Sequence, residues 1–228
     1  MVNPIRPLTY PQPKQGGDRE IQNIDVHYRD DITVTLLNTG KVLVAGGNSI
    51  LGAQDTAELF DSSSQSFTPI TANMTVKRAD FTATLLKDGK VLLAGPDLTA
   101  EIFDPSTGTF AATGSLPGSP GTTGTLGSTA TLRTDGTVLV TGGQYNVGCG
   151  GPPTPVSRTL SVAAADLFDP GAESFSGTGS MSSVRTRHTA TLLPNGRVLV
   201  TGGIAYTLPS SRYCGQEESV MGSAELYP

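Results

Sequence analysis

The chain has no tryptophan, only two cysteines and two histidines, and 6% aromatic residues. So few imidazoles and thiols leave little from which to build a transition-metal site, which wants several of them clustered. Lysine and arginine are scattered singly and the net charge is −5. That balance argues against a nucleic-acid surface, which needs a basic patch to neutralise phosphates. It argues equally against a polybasic membrane contact. No apolar run approaches the ~18 residues of a membrane helix. No segment sustains a helical apolar period.

Small and turn-forming residues take the place of what is missing. Glycine and proline number 28 and 16, a composition suited to many short strands joined by tight turns. A length of 228 residues fits one all-β domain. Four near-copies of a strand–turn–strand phrase run through it: Thr33–Gly47, Thr82–Gly95, Thr129–Gly143 and Thr189–Gly203. A second phrase follows each: Ala57–Phe67, Ala100–Phe110, Ala165–Phe175 and the clipped Ala224–Pro228. Each repeat reads as four strands, A to D. Strand A is the small-residue TATLL segment, strand B the apolar VLVTGG segment, strand C the AELFD segment, and strand D carries Phe67, Phe110 or Phe175. Asp88-Gly89, Asp135-Gly136 and Asn195-Gly196 between A and B are strong hairpin signals, since Asn/Asp-Gly tolerates positive φ.

A four-stranded unit recurring every ~50 residues predicts a β-propeller. The blades fall at about 29–75, 78–118, 125–180 and 185–228. Residues 1–19, with Pro4, Pro7, Pro11 and Pro13, read as an extended arm, and residues 20–228 as the propeller. The fourth blade lacks a strand D. Ile21–Tyr28 is expected to fold back and supply it, closing a four-bladed ring. The rivals are an arc of a larger propeller, or donation of that strand to a neighbouring molecule.

These phrases resemble the kelch-repeat superfamily, in its bacterial style of tandem R-x-x-H-T-A-T-L-L … V-L-V-T-G-G repeats. The resemblance covers roughly residues 29–228. It implies propellers of four-stranded blades that serve mostly as platforms for binding proteins or ligands. Members usually carry Trp on strand D, where Phe67, Phe110 and Phe175 stand here. One branch, the copper radical oxidases similar to galactose oxidase, uses Tyr and His ligands and a Cys-linked Tyr. His27 and His188 are the only histidines of this chain, so no cofactor and no enzyme activity are expected. His188 stands where other repeats have Ile32 and Phe81 and reads as a packing residue.

Alternating strand direction gathers the A–B and C–D turns on one face and the long B–C and D–A loops on the other. The second face holds Asn48–Asp55, Gln144–Ser161, Ile204–Gly222 and Gly114–Gly127. Loops on a rigid scaffold commonly carry binding. Tyr145, Asn146, Tyr206, Arg212 and Tyr213 are the candidate contacts to a protein or glycan, with packing of the loops onto the blades as the alternative. Arg29, Arg78 and Arg185 share one repeat position before strand A, where the third repeat has Thr125. They read either as a broken ring of guanidinium groups facing a partner's carboxylates or as structural donors to loop carbonyls and acids. Glu58, Glu101, Asp166 and Glu225 recur in strand C and read as a solvated blade face. Asp61, Asp104 and Asp169 read as starters of Asx turns. No alternating acidic run signals calcium.

Cys149 and Cys214 fall in equivalent loops of neighbouring repeats. A disulfide between them is expected, the alternative being two unpaired thiols. A disulfide points to an extracellular or periplasmic location, although Met1–Gln15 carries no apolar core of a signal peptide. The functional expectation is a non-enzymatic binding or scaffold module. The alternatives are a homo-oligomeric or filamentous subunit linked by strand addition, and a fragment of an oxidase-like enzyme.

Overall fold

A computed structural model of the chain describes residues 29–117, 126–149, 156–208 and 217–228. Every regular element among the described residues is a strand, and none is a helix. The first unit contains β1 (Thr33–Leu36), β2 (Val42–Ala45), β3 (Asn48–Ser49), β4 (Gly52–Ala53), β5 (Ala57–Asp61) and β6 (Ser66–Pro69). The second contains β7 (Thr82–Leu85), β8 (Val91–Ala94), β9 (Ala100–Asp104) and β10 (Thr109–Ala112). The third contains β11 (Thr129–Leu132), β12 (Val138–Thr141), β13 (Gln144–Cys149), β14 (Val156–Ser161), β15 (Ala165–Asp169) and β16 (Ser174–Gly177). The fourth contains β17 (Thr189–Leu192), β18 (Val198–Thr201), β19 (Ile204–Thr207), β20 (Glu217–Val220) and β21 (Ala224–Tyr227).

The expected A-to-D strands pair in order into antiparallel sheets: β1-β2-β5-β6, β7-β8-β9-β10, β11-β12-β15-β16 and the three-stranded β17-β18-β21. Leu36 pairs with Val42 across the first A–B turn, and Leu37 N–H donates to Lys41 O at 2.9 Å. Only the glycine of each turn takes a positive φ, +81° at Gly40 and +89° at Gly89. The residue before it does other work: Asp88 and Asp135 each accept from the N–H two residues on, at 3.0 and 2.9 Å. The C–D turns are Asx turns as expected, with Ser63 and Ser106 N–H on Asp61 and Asp104 at 2.9 Å, and Gly171 N–H on Asp169 at 2.8 Å. Strand D docks through cross-strand aromatic pairs. Phe60–Phe67, Phe103–Phe110 and Phe168–Phe175 have ring centroids 4.8–4.9 Å apart, within the favourable range for tilted rings.

The apolar cores lie between sheets. Leu43, Met74, Phe81, Leu93 and Phe103 fill the space between the first and second units. Leu92, Leu116, Val138, Val140 and Phe168 fill the second space, and Leu139, Met181, Val198, Val200 and Tyr227 the third. Sheets packed on both faces explain why the VLVT strands are continuously apolar. The A strands meet in sequence, β1 with β7, β7 with β11 and β11 with β17. Among the described residues no packing of that extent returns from β17 to β1. The outer face of β1 instead exposes Val34 at 62% and Leu36 at 64%, and β21 exposes Leu226 at 45%. Ile21–Tyr28, expected to complete the fourth sheet, lies outside the described residues.

Candidate functional site

The strand C acids are not a solvated face. Glu101 is fully buried, and Glu58 and Asp166 are 9% and 7% exposed. An ionised carboxylate at such depth needs a cation and hydrogen bonds, and the arginines before strand A supply them. Arg78 Nε donates to Glu101 Oε1 at 2.6 Å, and its Nη1 donates to the carbonyls of Gly95 and Thr99. Arg185 repeats this: Nη2 to Glu225 at 2.7 Å, Nη1 to Gly202 O at 2.9 Å and to Ser223 O at 3.3 Å. Arg29 does the same with Glu58 at 3.1 Å and with Gly46 O and Thr56 O at 3.2 Å. Each guanidinium thus staples the end of strand B to the start of strand C. Arg78 and Arg185 are 0% exposed, so this set offers no cation to a partner, and the binding role considered for Arg29, Arg78 and Arg185 gives way to the internal one.

A second donor completes two of these sites. Thr75 N–H reaches Glu101 Oε2 at 2.8 Å, and Ser182 N–H reaches Glu225 Oε2 at 2.6 Å. Burial works to raise Glu225, but the Ser182 N–H and the Arg185 guanidinium together hold its carboxyl below the ordinary range. Sequence reasoning missed this arrangement. Its signal is the phrase Met74-Thr75-Val76-Lys77-Arg78, matched by Met181-Ser182-Ser183-Val184-Arg185. In both, methionine enters the core and the next N–H meets the acid of the following sheet.

The third unit departs from the pattern. Leu116 takes the methionine position, since its N–H bonds Leu98 O as Met74 and Met181 bond Asp55 and Ala163. The next residue is Pro117, which has no N–H to give. Thr125 stands at the arginine position. Asp166 therefore has neither donor among the described residues. Burial alone pushes its carboxyl up from 3.8 to about 6.

Neighbouring units are also locked by the glycine pairs. Gly47 N–H donates to Arg78 O at 2.8 Å, and Gly143 N–H to Arg185 O at 2.9 Å. Gly46 and Gly142 lie under Phe81 and His188; a Cβ on either would sit 2.7 Å from Phe81 Cε1 or 2.6 Å from His188 Cε1. Close approach of an aromatic ring to backbone is what glycine permits. His188 is 5% exposed, with Nε2 against the Thr129 and Thr141 hydroxyls at 2.9 and 3.0 Å. Burial, reinforced by the Arg185 charge, lowers its pKa from 6.5 to about 4. It is a neutral packing residue in the position of Phe81, as its repeat register predicts.

The long B–C segments are hairpins where loops were expected. β13 pairs β14 from Gln144↔Ser161 to Cys149↔Val156, and β19 pairs β20 from Ile204↔Val220 to Thr207↔Glu217. β14 lies beside β19, tied by Ser161 Oγ, which accepts from Tyr206 N–H at 2.9 Å. Tyr145 and Tyr206 are half-buried, while Asn146 is exposed and accepts from Thr159 Oγ1 at 2.9 Å. Arg212, Tyr213 and Cys214 lie outside the described residues, as does His27; Cys149 ends β13.

No family model matches the chain, and no curated protein matches it. Among solved structures it is similar to a "Novel fungal alcohol oxidase with catalytic diversity among the AA5 family, in complex with copper". The identity is 18% and the TM-score 0.61, over 88% of this chain and 44% of that one. The chain thus spans less than half of that protein, and the likeness is one of fold alone. A second structure, "Structure of YjhT", aligns at 14% identity and TM-score 0.41 over 85% of this chain and 84% of that one. No three His, Cys, Asp or Glu side chains among the described residues converge, and His188 turns Nε2 to two threonines.

Proposed function

We propose that the chain forms four consecutive blades of a kelch-type β-propeller and acts as a non-enzymatic scaffold that binds a protein or glycan. The β13–β14 and β19–β20 hairpins support this reading most. They stand together at one end of the stacked sheets, and they carry Tyr145, Asn146 and Tyr206. Tyrosines that present an apolar ring and a hydroxyl suit recognition surfaces. A disulfide between Cys149 and Cys214, in an extracellular or periplasmic protein, belongs to the same reading and would brace the two hairpins. Mass analysis after alkylation without reductant tests that bond. For binding, a glycan array and a panel of purified surface proteins should be compared for the wild type and a Tyr145→Ser/Tyr206→Ser variant. Loss of a wild-type signal in a variant with unchanged circular dichroism supports the reading; an unchanged signal rejects it.

A second reading is favoured by the exposed β1 face and by a fourth sheet that has three strands among the described residues. Unpaired strand edges and open apolar faces invite association. Here the chain self-assembles as a structural subunit. Solution mass separates the readings: multimers that dissociate in Val34→Lys/Leu36→Lys support assembly, and a monomer at all concentrations rejects it.

A further inference from the structure

Three units bury a guanidinium in one constellation, a strand C carboxylate and two carbonyls, and the third unit keeps the acceptors without the arginine. Asp166 pairs with Val140, as Glu101 pairs with Leu93 and Glu225 with Val200. Gly142 and Ala164 are the register equivalents of Gly95 and Thr99, and of Gly202 and Ser223; in each pair the glycine N–H bonds the other carbonyl, at 2.8 Å for Gly142 and Ala164. That bond holds both carbonyls as they stand in the units with arginine. Asp166 is 7% exposed, and its carboxylate has no hydrogen-bond or charge partner among the described residues. Across the ladder it faces Gly177, where the second unit has Ala112, so no side chain crowds it from strand D. Aspartate is also one methylene shorter than the glutamates of the other units.

A buried carboxylate with no partner is costly, and nothing in the packing of the sheet requires an acid here. We propose that the Asp166 carboxylate and the Gly142 and Ala164 carbonyls form a binding slot for the guanidinium group of a ligand, free or borne on a peptide. The internal arginines are the template. One Nη bridges the two carbonyls, and another nitrogen meets the carboxylate. Guanidinium suits this geometry because its planar fork offers several donors at fixed angles, whereas an ammonium is a compact, strongly hydrated point charge. The slot stands at the end of strand B from which β13 departs, on the side of the proposed recognition hairpins. It depends only on the sheet register and not on the closure or assembly of the whole molecule.

The test is a titration of the full chain with N-methylguanidinium and with a blocked tripeptide centred on arginine, followed by calorimetry and by the carboxyl carbon resonance of Asp166. Expected are saturable one-to-one binding and a shifted Asp166 resonance, with affinity falling at least roughly tenfold in Asp166→Asn, the range that loss of a charge-assisted pair produces. Binding of both probes places the natural guanidinium on a peptide; binding of methylguanidinium alone places it on a small molecule. Thr125→Arg, which restores the arginine of the repeat pattern, should raise the melting temperature and abolish binding. Absence of saturable binding overturns the proposal. So does binding unaffected by Asp166→Asn, or equal or tighter binding of methylammonium or calcium at the same residue.

Discussion

Asp166 and His188 make opposite demands on proton concentration. Asp166 has its folded pKa raised from 3.8 to about 6 by burial. The cost is absent when both folded and unfolded chains are protonated, and fully present once both are ionised. Its contribution to stability therefore falls as pH rises between these values. Roughly two units at ~1.4 kcal/mol each set a ceiling of about 3 kcal/mol. Asp166→Asn should stabilise the ligand-free protein by about 1–2 kcal/mol near neutral pH and by almost nothing near pH ~3.5. Paired denaturant melts at the two pH values check this. His188 has its folded pKa lowered from 6.5 to about 4 by burial and by Arg185. Its neutral ring favours the fold above 6.5, and that contribution is lost as pH falls toward 4. His188→Phe places the ring of Phe81 in the equivalent site, and it leaves Thr129 and Thr141 bonded to each other at 2.9 Å. This variant should be more stable in acid than the wild type, by up to about 3 kcal/mol near pH ~4. Thermal melts across the acid range would show it. Because the two effects oppose each other in one window, each substitution should steepen the pH dependence left by the other residue.

At the scale of elements, the staple from strand A across strands B and C decides what is fixed. Arg78, Glu101 and the carbonyls of Gly95 and Thr99 form one buried unit. Removing one partner of such a pair leaves an uncompensated charge, at a cost of about 3–5 kcal/mol, whereas replacing both with apolar side chains costs far less. Arg78→Met alone should destabilise by that amount, and Arg78→Met/Glu101→Leu should recover at least about half of it. A double-mutant cycle by chemical denaturation measures the coupling. The same elements show where sequence reading succeeded. The strands, the glycine turns and the Asx turns rest on local rules, so Gly40, Gly89, Asp61 and Asp104 act as their local sequence predicts. The AELFD alternation misled, because period-two patterning implies one wet face, and the second and third sheets meet a neighbouring sheet on both. The acid is buried because an arginine at a distance of 23 residues, between Arg78 and Glu101, reaches it. The B–C hairpins escaped notice for a related reason. Gln144–Ser161 is broken by Gly150-Gly151-Pro152-Pro153, which masks two flanking strands whose partners are each other.

At the scale of the whole molecule, stability is a sum over neighbours. Four sheets share three apolar layers, and each unit relies on the next, as in repeat proteins. The end units have one covered face each among the described residues, so their amides should exchange earliest. Native-state hydrogen exchange should rank β17–β18 and β1–β2 below β8–β9 and β12–β15 in protection. Uniform protection across the four units would contradict a nearest-neighbour account.

The run Gly95-Pro96 has a companion change at Thr125 and Ser128, so the junction between the second and third units keeps its oily layer but loses both the glycine-to-arginine latch and the ring set over glycine. The first and second units are latched, and so are the third and fourth. What still ties that junction outside the apolar layer is peripheral, chiefly Thr113 and Gly114 bonded to Glu173 O, so under a pulling force the second and third units should part more readily than either outer pair.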